Sequence, residues 1–385
     1  MDENYLVKKK NEEEEKRKKK GFLFFRNRKL FLLALALLFT IVILSTSTYA
    51  WFTSNSTVSV QPIDVQVSSG SGIQISTDAE HWKSMITTTD ISTGYSGGLN
   101  KMPDNEMSPV STVKTVFPAA TTKSAGLHMY RGNITNDVDD GTMYLESTEE
   151  LDNDDTYSNY IAFDLFLKLD YKATEDAPTQ MIYFTSGTGI TATGSAHTNI
   201  EYAGRMGFVV NGNLASSYSP TDFRNIKDSD SYVVKIYEPN YDVHTPNGIA
   251  NGRDNYNITG YSVGPDEDAV PYYGVKAAFT YDENAAVDQE TGRNSSAVLL
   301  SSTASDKFDS VTPDYYSKAA NEEAFQFLAL KPGVTKIRVY MWIEGQDIDC
   351  ENTASGGQVQ FSLGFTVTPP ASAQNNNSGG GEQNP

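Results

Sequence analysis

The stretch Lys331-Pro-Gly-Val-Thr-Lys-Ile-Arg-Val-Tyr-Met-Trp-Ile343 decides how the rest of the chain is read. Ile337, Val339, Met341 and Ile343 alternate in it with Lys336, Arg338, Tyr340 and Trp342. A period of two belongs to a β-strand, because successive side chains leave opposite faces of the pleat. Ahead of it, Phe325–Leu330 runs into Lys331-Pro332-Gly333, where proline presets its own φ and glycine admits positive φ. Residues 325–343 are therefore expected to form a hairpin. Beyond the acidic loop 344–357, Val359, Phe361, Leu363, Phe365 and Val367 alternate with Gln360, Ser362, Gly364 and Thr366. One apolar and one polar face per strand is the pattern of antiparallel sheets packed on one side.

Further strands follow from the same reasoning. In Ile161–Leu169, Ile161, Phe163, Leu165, Leu167 and Leu169 share one face. Val58–Val67 contains two alternating runs whose phase shifts at Pro62, which predicts a bulge or an edge position. Ile73–Ile75, Met181–Phe184, Met206–Val210, Tyr232–Tyr237, Tyr273–Phe279 and Ala297–Leu300 are shorter candidates between Gly, Asn, Asp and Ser punctuation. Residues 83–126, rich in Ser, Thr, Gly and Pro, read as surface connections. Pro313–Glu323 reads as a short helix. The expected fold is mainly β, an antiparallel β-sandwich with long loop insertions, preceded by one N-terminal hydrophobic helix.

That helix is Leu30–Leu44, LFLLALALLFTIVIL, which is uncharged and followed by Ser45-Thr-Ser-Thr-Tyr-Ala50. Its length suits the apolar part of a signal peptide, with Thr48-Tyr49-Ala50 as a cleavage site; counted through Phe52 it also suits a spanning anchor. Residues 1–29 hold 11 Lys and Arg against 6 Asp and Glu, and such a surplus of positive charge stays cytoplasmic. The expected order is a charged cytosolic tail (1–29), the hydrophobic segment (30–52), an exported body in one or two subdomains (53–368) and an Asn/Gly/Ser-rich tail (369–385). The membrane is thus an expected partner through residues 30–52. With no Leu-Pro-x-Thr-Gly sorting signal in the tail, a cleaved chain is expected to be held by partners, other surface proteins or copies of itself, or not at all.

The whole chain carries a net charge of −19. Beyond residue 29 it holds 19 basic against 43 acidic residues, so the exported part should repel nucleic acid. Its only cysteine is Cys350, which excludes an internal disulfide. In an acidic loop that thiol is expected to have a raised pKa and low reactivity.

Chemistry-bearing motifs are few. Gly94-Tyr-Ser96-Gly-Gly98 and Gly260-Tyr-Ser262-Val-Gly264 match a nucleophile elbow, but neither serine lies between a strand and a helix. His81, His128, His197 and His244 are scattered, without a zinc-ligand spacing. Hard cations need convergent oxygens, and acidic turns at 136–141, 152–155 and 344–351 offer them. Glu344, Asp347, Asp349 and Glu351 are the expected calcium ligands; no other cofactor and no catalytic residue is expected. Tyr340 and Trp342 offer an aromatic face for stacking on sugar rings.

Two resemblances accompany these readings. Thr48-Tyr-Ala-Trp51-Phe52-Thr53, followed by alternating Val and Ile strands, resembles the export junction of Gram-positive proteins processed by the SipW-type signal peptidase. Those are camelysin and TasA-like surface and biofilm-matrix proteins, and the resemblance implies a β-sandwich and a non-enzymatic structural role. Ile73-Gln-Ile-Ser76, Trp82 and Val339–Cys350 are similar to pieces of exported Firmicutes proteins. A surface module that binds wall glycan or calcium is the alternative reading.

Overall fold

The computed structural model describes residues 58–60 and 64–67, then 72–368 except 104–105, 118–124, 137–142, 154–158, 194–198, 228–231, 239–243, 251–271, 281, 283, 287–306, 315–325 and 351–356. The hydrophobic segment 30–52 lies outside these residues, as do Ala297–Leu300, the turns 137–142 and 154–155, and most of Pro313–Glu323. Among the described residues no helix is long and apolar enough to cross a membrane.

The protein is mainly β, and its strands pair mostly antiparallel in two principal sheets. The first is centred on its C-terminal strand. It contains β1 (Val58–Val60), β2 (Asp64–Val67), β4 (Met85–Ile86), β6 (Glu106–Met107), β13 (Gln180–Phe184), β14 (Gly189–Thr193), β19 (Gln326–Leu330) and β21 (Gln358–Thr366). β21 pairs antiparallel with β13 and β14, but parallel with β1 and β2. Between β1 and β2 the register gains a residue: Val60 faces Val359 and Asp64 faces Ser362. A one-residue excess across Pro62 is what the phase shift in the sequence called for.

The second sheet has the order β16 (Val233–Tyr237), β15 (Gly204–Leu214), β20 (Gly333–Ile343), β12 (Ile161–Leu169) and β3 (Ile73–Ser76), with β5 (Asn100–Lys101) also on β12. Shorter sheets join β7 (Val110–Ser111), β10 (Met129–Asn136) and β11 (Met143–Glu150), β8 (Val116–Phe117) with β9 (Gly126–Leu127), and β17 (Tyr272–Val275) with β18 (Phe308–Val311).

One core lies between the principal sheets. Phe184, Phe327 and Phe365 of the first meet Phe208 of the second, with ring centroids 5.7 Å apart for Phe184–Phe208 and 5.0 Å for Phe208–Phe327. Ile337, Val339, Met341 and Ile343 belong to this core, as their alternation predicts.

Three expectations are corrected. The segment 325–343 is not a hairpin: β19 pairs with β13 in the first sheet, and β20 with β12 and β15 in the second. Both strands send their apolar faces into one core, so the chain crosses that core at Lys331-Pro332-Gly333 instead of folding back alongside itself. The second face of β20 and β12, which carries Lys336, Arg338 and Asp164, is also not open to solvent. β20 is buried along its full length and β12 at every position but Lys168. The reason lies in residues drawn from 110–129 and 223–226, so residues 83–126 are not mere surface connections. Val110, Ala125, Leu127 and Met129 cover Tyr340, Trp342 and Val209, while Phe223 and Ile226 pack with Phe166 and Val334. Of Pro313–Glu323 only Pro313 and Asp314 are described, and the rest of the expected helix lies outside the described residues; Asp314 bonds along the edge of β16, its N donating to Ile236 O and its Oδ2 accepting from Ile236 N, both at 2.9 Å.

Candidate functional site

Two polar centres sit on the second sheet. The first is a cleft of about 560 Å³ over the outer face of β12 and β20. Asp164 and Arg338 face one another in the register of these strands, and Arg338 Nε donates to Asp164 Oδ1 at 3.0 Å. Lys336 Nζ lies 3.2 Å from Asp164 Oδ2 and donates to Tyr95 Oη at 2.9 Å and to the Arg224 carbonyl at 2.8 Å. Tyr95 Oη donates in turn to Asp164 Oδ2 at 2.7 Å. Burial alone would raise the Asp164 carboxyl, but Arg338 and Lys336 overcome it and hold the group well below the usual carboxylate range. Burial, reinforced by Arg338, pushes Lys336 down against the pull of Asp164.

The walls follow from local sequence. The helix α1 (Thr88–Thr93) starts at a capping box between Thr87 and Asp90 and stops at Gly94, whose φ of +40° lies in the left-handed region. The turn after it carries Tyr95, Ser96, Gly97, Gly98 and Asn100 into the cleft. Opposite, α2 (Pro220–Arg224) begins with a Ser219–Asp222 capping box and proline at its first turn. It delivers Thr221, Arg224, Asn225 and Lys227. The Arg224 guanidinium lies 5.3 Å from the Tyr95 ring centroid, which fixes the aromatic wall. The lining carries the cations Lys101, Arg224, Lys227, Lys336 and Arg338 against the carboxyls Asp152 and Asp164, an inverse of the acidic body as a whole.

Ser96 lines this cleft. However, its helix precedes it, the reverse of the strand–turn–helix order that a nucleophile elbow needs, and no histidine is among the lining residues. Ser262 lies outside the described residues.

The second centre follows β20. Glu344, Asp347 and Asp349 are all buried, together with Ile348 and Cys350, so residues 344–350 are not the solvated acidic loop that their composition suggests. Glu344 accepts from Trp342 Nε1 and from Gln346 N, each at 3.1 Å. Asp347 takes Arg205 Nη2 on Oδ2 and the Asp349 amide on Oδ1. Asp349 Oδ1 accepts from Thr245 N at 3.1 Å and Thr245 Oγ1 at 2.6 Å, and Oδ2 lies 2.9 Å from His244 Nδ1. Glu351, the fourth expected calcium ligand, lies outside the described residues. Two residues that sequence reasoning did not join to this set stand within it. His244 puts a ring nitrogen within 4.8 Å of carboxylate oxygens of both Asp347 and Asp349, and Glu238 Oε1 shares Arg205 Nη2 at 2.7 Å. Burial raises Glu238 to about 8 and Glu344 to about 7. The Cys350 thiol is pushed well up by burial, then by Asp347 and Glu344, in line with an unreactive cysteine.

The aromatic platform is corrected. Tyr340 and Trp342 are fully buried beneath the insertions; Tyr340 Oη donates to Asp152 Oδ2 and accepts from Leu127 N. Neither ring can stack on a sugar. Asp78, Glu80 and His81 gather on an exposed turn, but there Asp78 accepts from the Glu80 and His81 amides and binds the His81 ring, which accounts for the cluster.

No family model matches the sequence, and neither a curated protein nor a solved structure matches it.

Proposed function

We propose that the chain is an exported, non-enzymatic surface protein with a β-sandwich body, and that it works as a binding module for a polyhydroxylated ligand of the wall-glycan class. The export part of this reading rests on the uncharged Leu30–Leu44, the basic residues before it and the Trp51-Phe52 junction. The observation that carries the binding part is the Tyr95 cleft. Its floor is tied up in the Asp164–Lys336–Arg338–Tyr95 network, while its rim offers Ser96, Asn100, Asn153, Thr221 and Asn225, groups that both donate and accept.

Assembly through sheet edges, as in a matrix fibre, is the second structural role consistent with export. The second sheet gives it little support. The outer edge of β16 is met by Asp314, and that of β3 by Lys83, whose N and O bond Ile75 at 2.8 and 3.0 Å. Blocked edges do not template strand addition.

The test is sedimentation of the purified 53–385 protein with cell-wall glycan. Saturable binding that is lost in Asn100→Ala/Asn225→Ala, with unchanged circular dichroism, is the expected result. Unsaturable binding, or binding indifferent to these substitutions, would overturn it; polymerisation that rises with concentration would favour assembly.

A further inference from the structure

We infer that His244, Asp347 and Asp349, with the Glu238 carboxyl beside them, form a binding site for one divalent transition-metal ion of the zinc class. Ligating atoms of His244, Asp347 and Asp349 lie within 4.8 Å of one another, and all three residues are buried. Zinc bonds to nitrogen and oxygen are about 2.0–2.2 Å long, so its tetrahedral ligands stand roughly 3.3–3.6 Å apart. The set therefore closes on an ion once the three side chains draw in towards one another.

Glu238 supplies the independent observation. It is 2% exposed, and its Oε2 has no hydrogen-bond partner, although its Oε1 sits on the same guanidinium nitrogen as Asp347. A buried carboxylate oxygen with nothing to accept from is costly, and such atoms call for an explanation. Charge points the same way. Four buried carboxyls, Glu238, Glu344, Asp347 and Asp349, gather here, where Arg205 pairs with Glu238 and Asp347 and His244 with Asp349. Removing that much like charge from water is unfavourable unless it is compensated, and a divalent cation compensates it.

The donor types choose the ion. An imidazole beside carboxylates suits zinc and its neighbours, whereas calcium takes an all-oxygen shell of six to eight ligands. The surrounding bonds hold the ligands in place. Thr245 N and Oγ1 orient Asp349, the Asp349 amide orients Asp347, and Arg205 holds both Asp347 and Glu238. This replaces the all-oxygen calcium set with one in which Glu344 serves Trp342 instead. The ion would bind the segment around His244 to the end of β20, far along the chain.

The experiment uses the full chain stripped with a chelator and then titrated calorimetrically with zinc(II), manganese(II) or calcium(II). One zinc per chain, bound at least tenfold more tightly than calcium and at least tenfold more weakly after His244→Gln or Glu238→Gln, is expected. Absence of saturable zinc binding, tighter binding of calcium, or an affinity unchanged in both variants would overturn the proposal. Should the variants fail to fold, cobalt(II) bound to the unaltered protein gives the answer. Intense visible bands of a four- or five-coordinate site support it, and the weak spectrum of a six-coordinate aqua ion refutes it.

Discussion

Asp164 on β12 and Arg338 on β20 are direct cross-strand partners whose side chains close a buried ion pair at 3.0 Å, with Lys336 at 3.2 Å making it a triad. Cutting one member of such a group leaves charge without compensation, which costs about 3–5 kcal/mol. Asp164→Ala should therefore destabilise the protein by about that much, because two buried cations lose their anion. Urea unfolding followed by tryptophan fluorescence measures it; a loss within about 0.5 kcal/mol would mean that solvent reaches the triad.

The same pair sets an acid limit. Asp164 is depressed in the folded state, so above its unfolded value, about 3.9, its charge contributes full stability. As pH falls below about 4 towards the depressed folded value, protons bind the unfolded chain first and the contribution is lost. The gap in unfolding midpoint between the native protein and Asp164→Asn should thus be constant from pH 7 to 5 and narrow below pH 4. A gap that widens on acidification would contradict the sign.

Much of this was legible in particular residues. The alternation of Ile337, Val339, Met341 and Ile343 located the core face of β20, and Pro62 marked a register change. Alternation, however, says only that two faces differ. It does not say that the second is exposed, and Asp164 opposite Arg338 passed for a solvated face because their complementarity appears only once β12 and β20 are paired. The short strands β7 to β9 carry too few residues to show any period, so the cover they provide was invisible. His244 joins Asp349 from a hundred positions away, and ligand spacing along the chain cannot register such a meeting. The cleft escaped for the same reason, since its cations come from Lys101, α2 and β20.

The two sheets are locked by aromatic rings, and Phe327 sits at a junction of three others. It lies 4.9 Å from Phe184, 5.0 Å from Phe208 and 5.1 Å from Phe365 by ring centroids. Phe327→Ala removes contacts to both sheets at once and should cost about 3–5 kcal/mol, with Phe327→Leu costing clearly less. Chemical denaturation of the pair tests this. Equal losses would show that the site collapses around either residue.

Gly333 is where the chain leaves one sheet for the other. Its φ is +118°, a region L-residues rarely adopt, and a Cβ there would press on the Leu214 carbonyl and on Ala215. Backbone cannot yield there as a long side chain would, because Leu214 is itself paired with Val334. Gly333→Ala should therefore cost more than the ~1 kcal/mol that separates glycine from alanine in unstrained positions, while Pro332→Ala, which leaves the crossing geometry intact, should stay within about 1 kcal/mol. Thermal unfolding of the two variants separates strain at Gly333 from simple loss of turn rigidity. If Pro332→Ala were the more damaging, the crossing would depend on the proline ring and not on the glycine conformation.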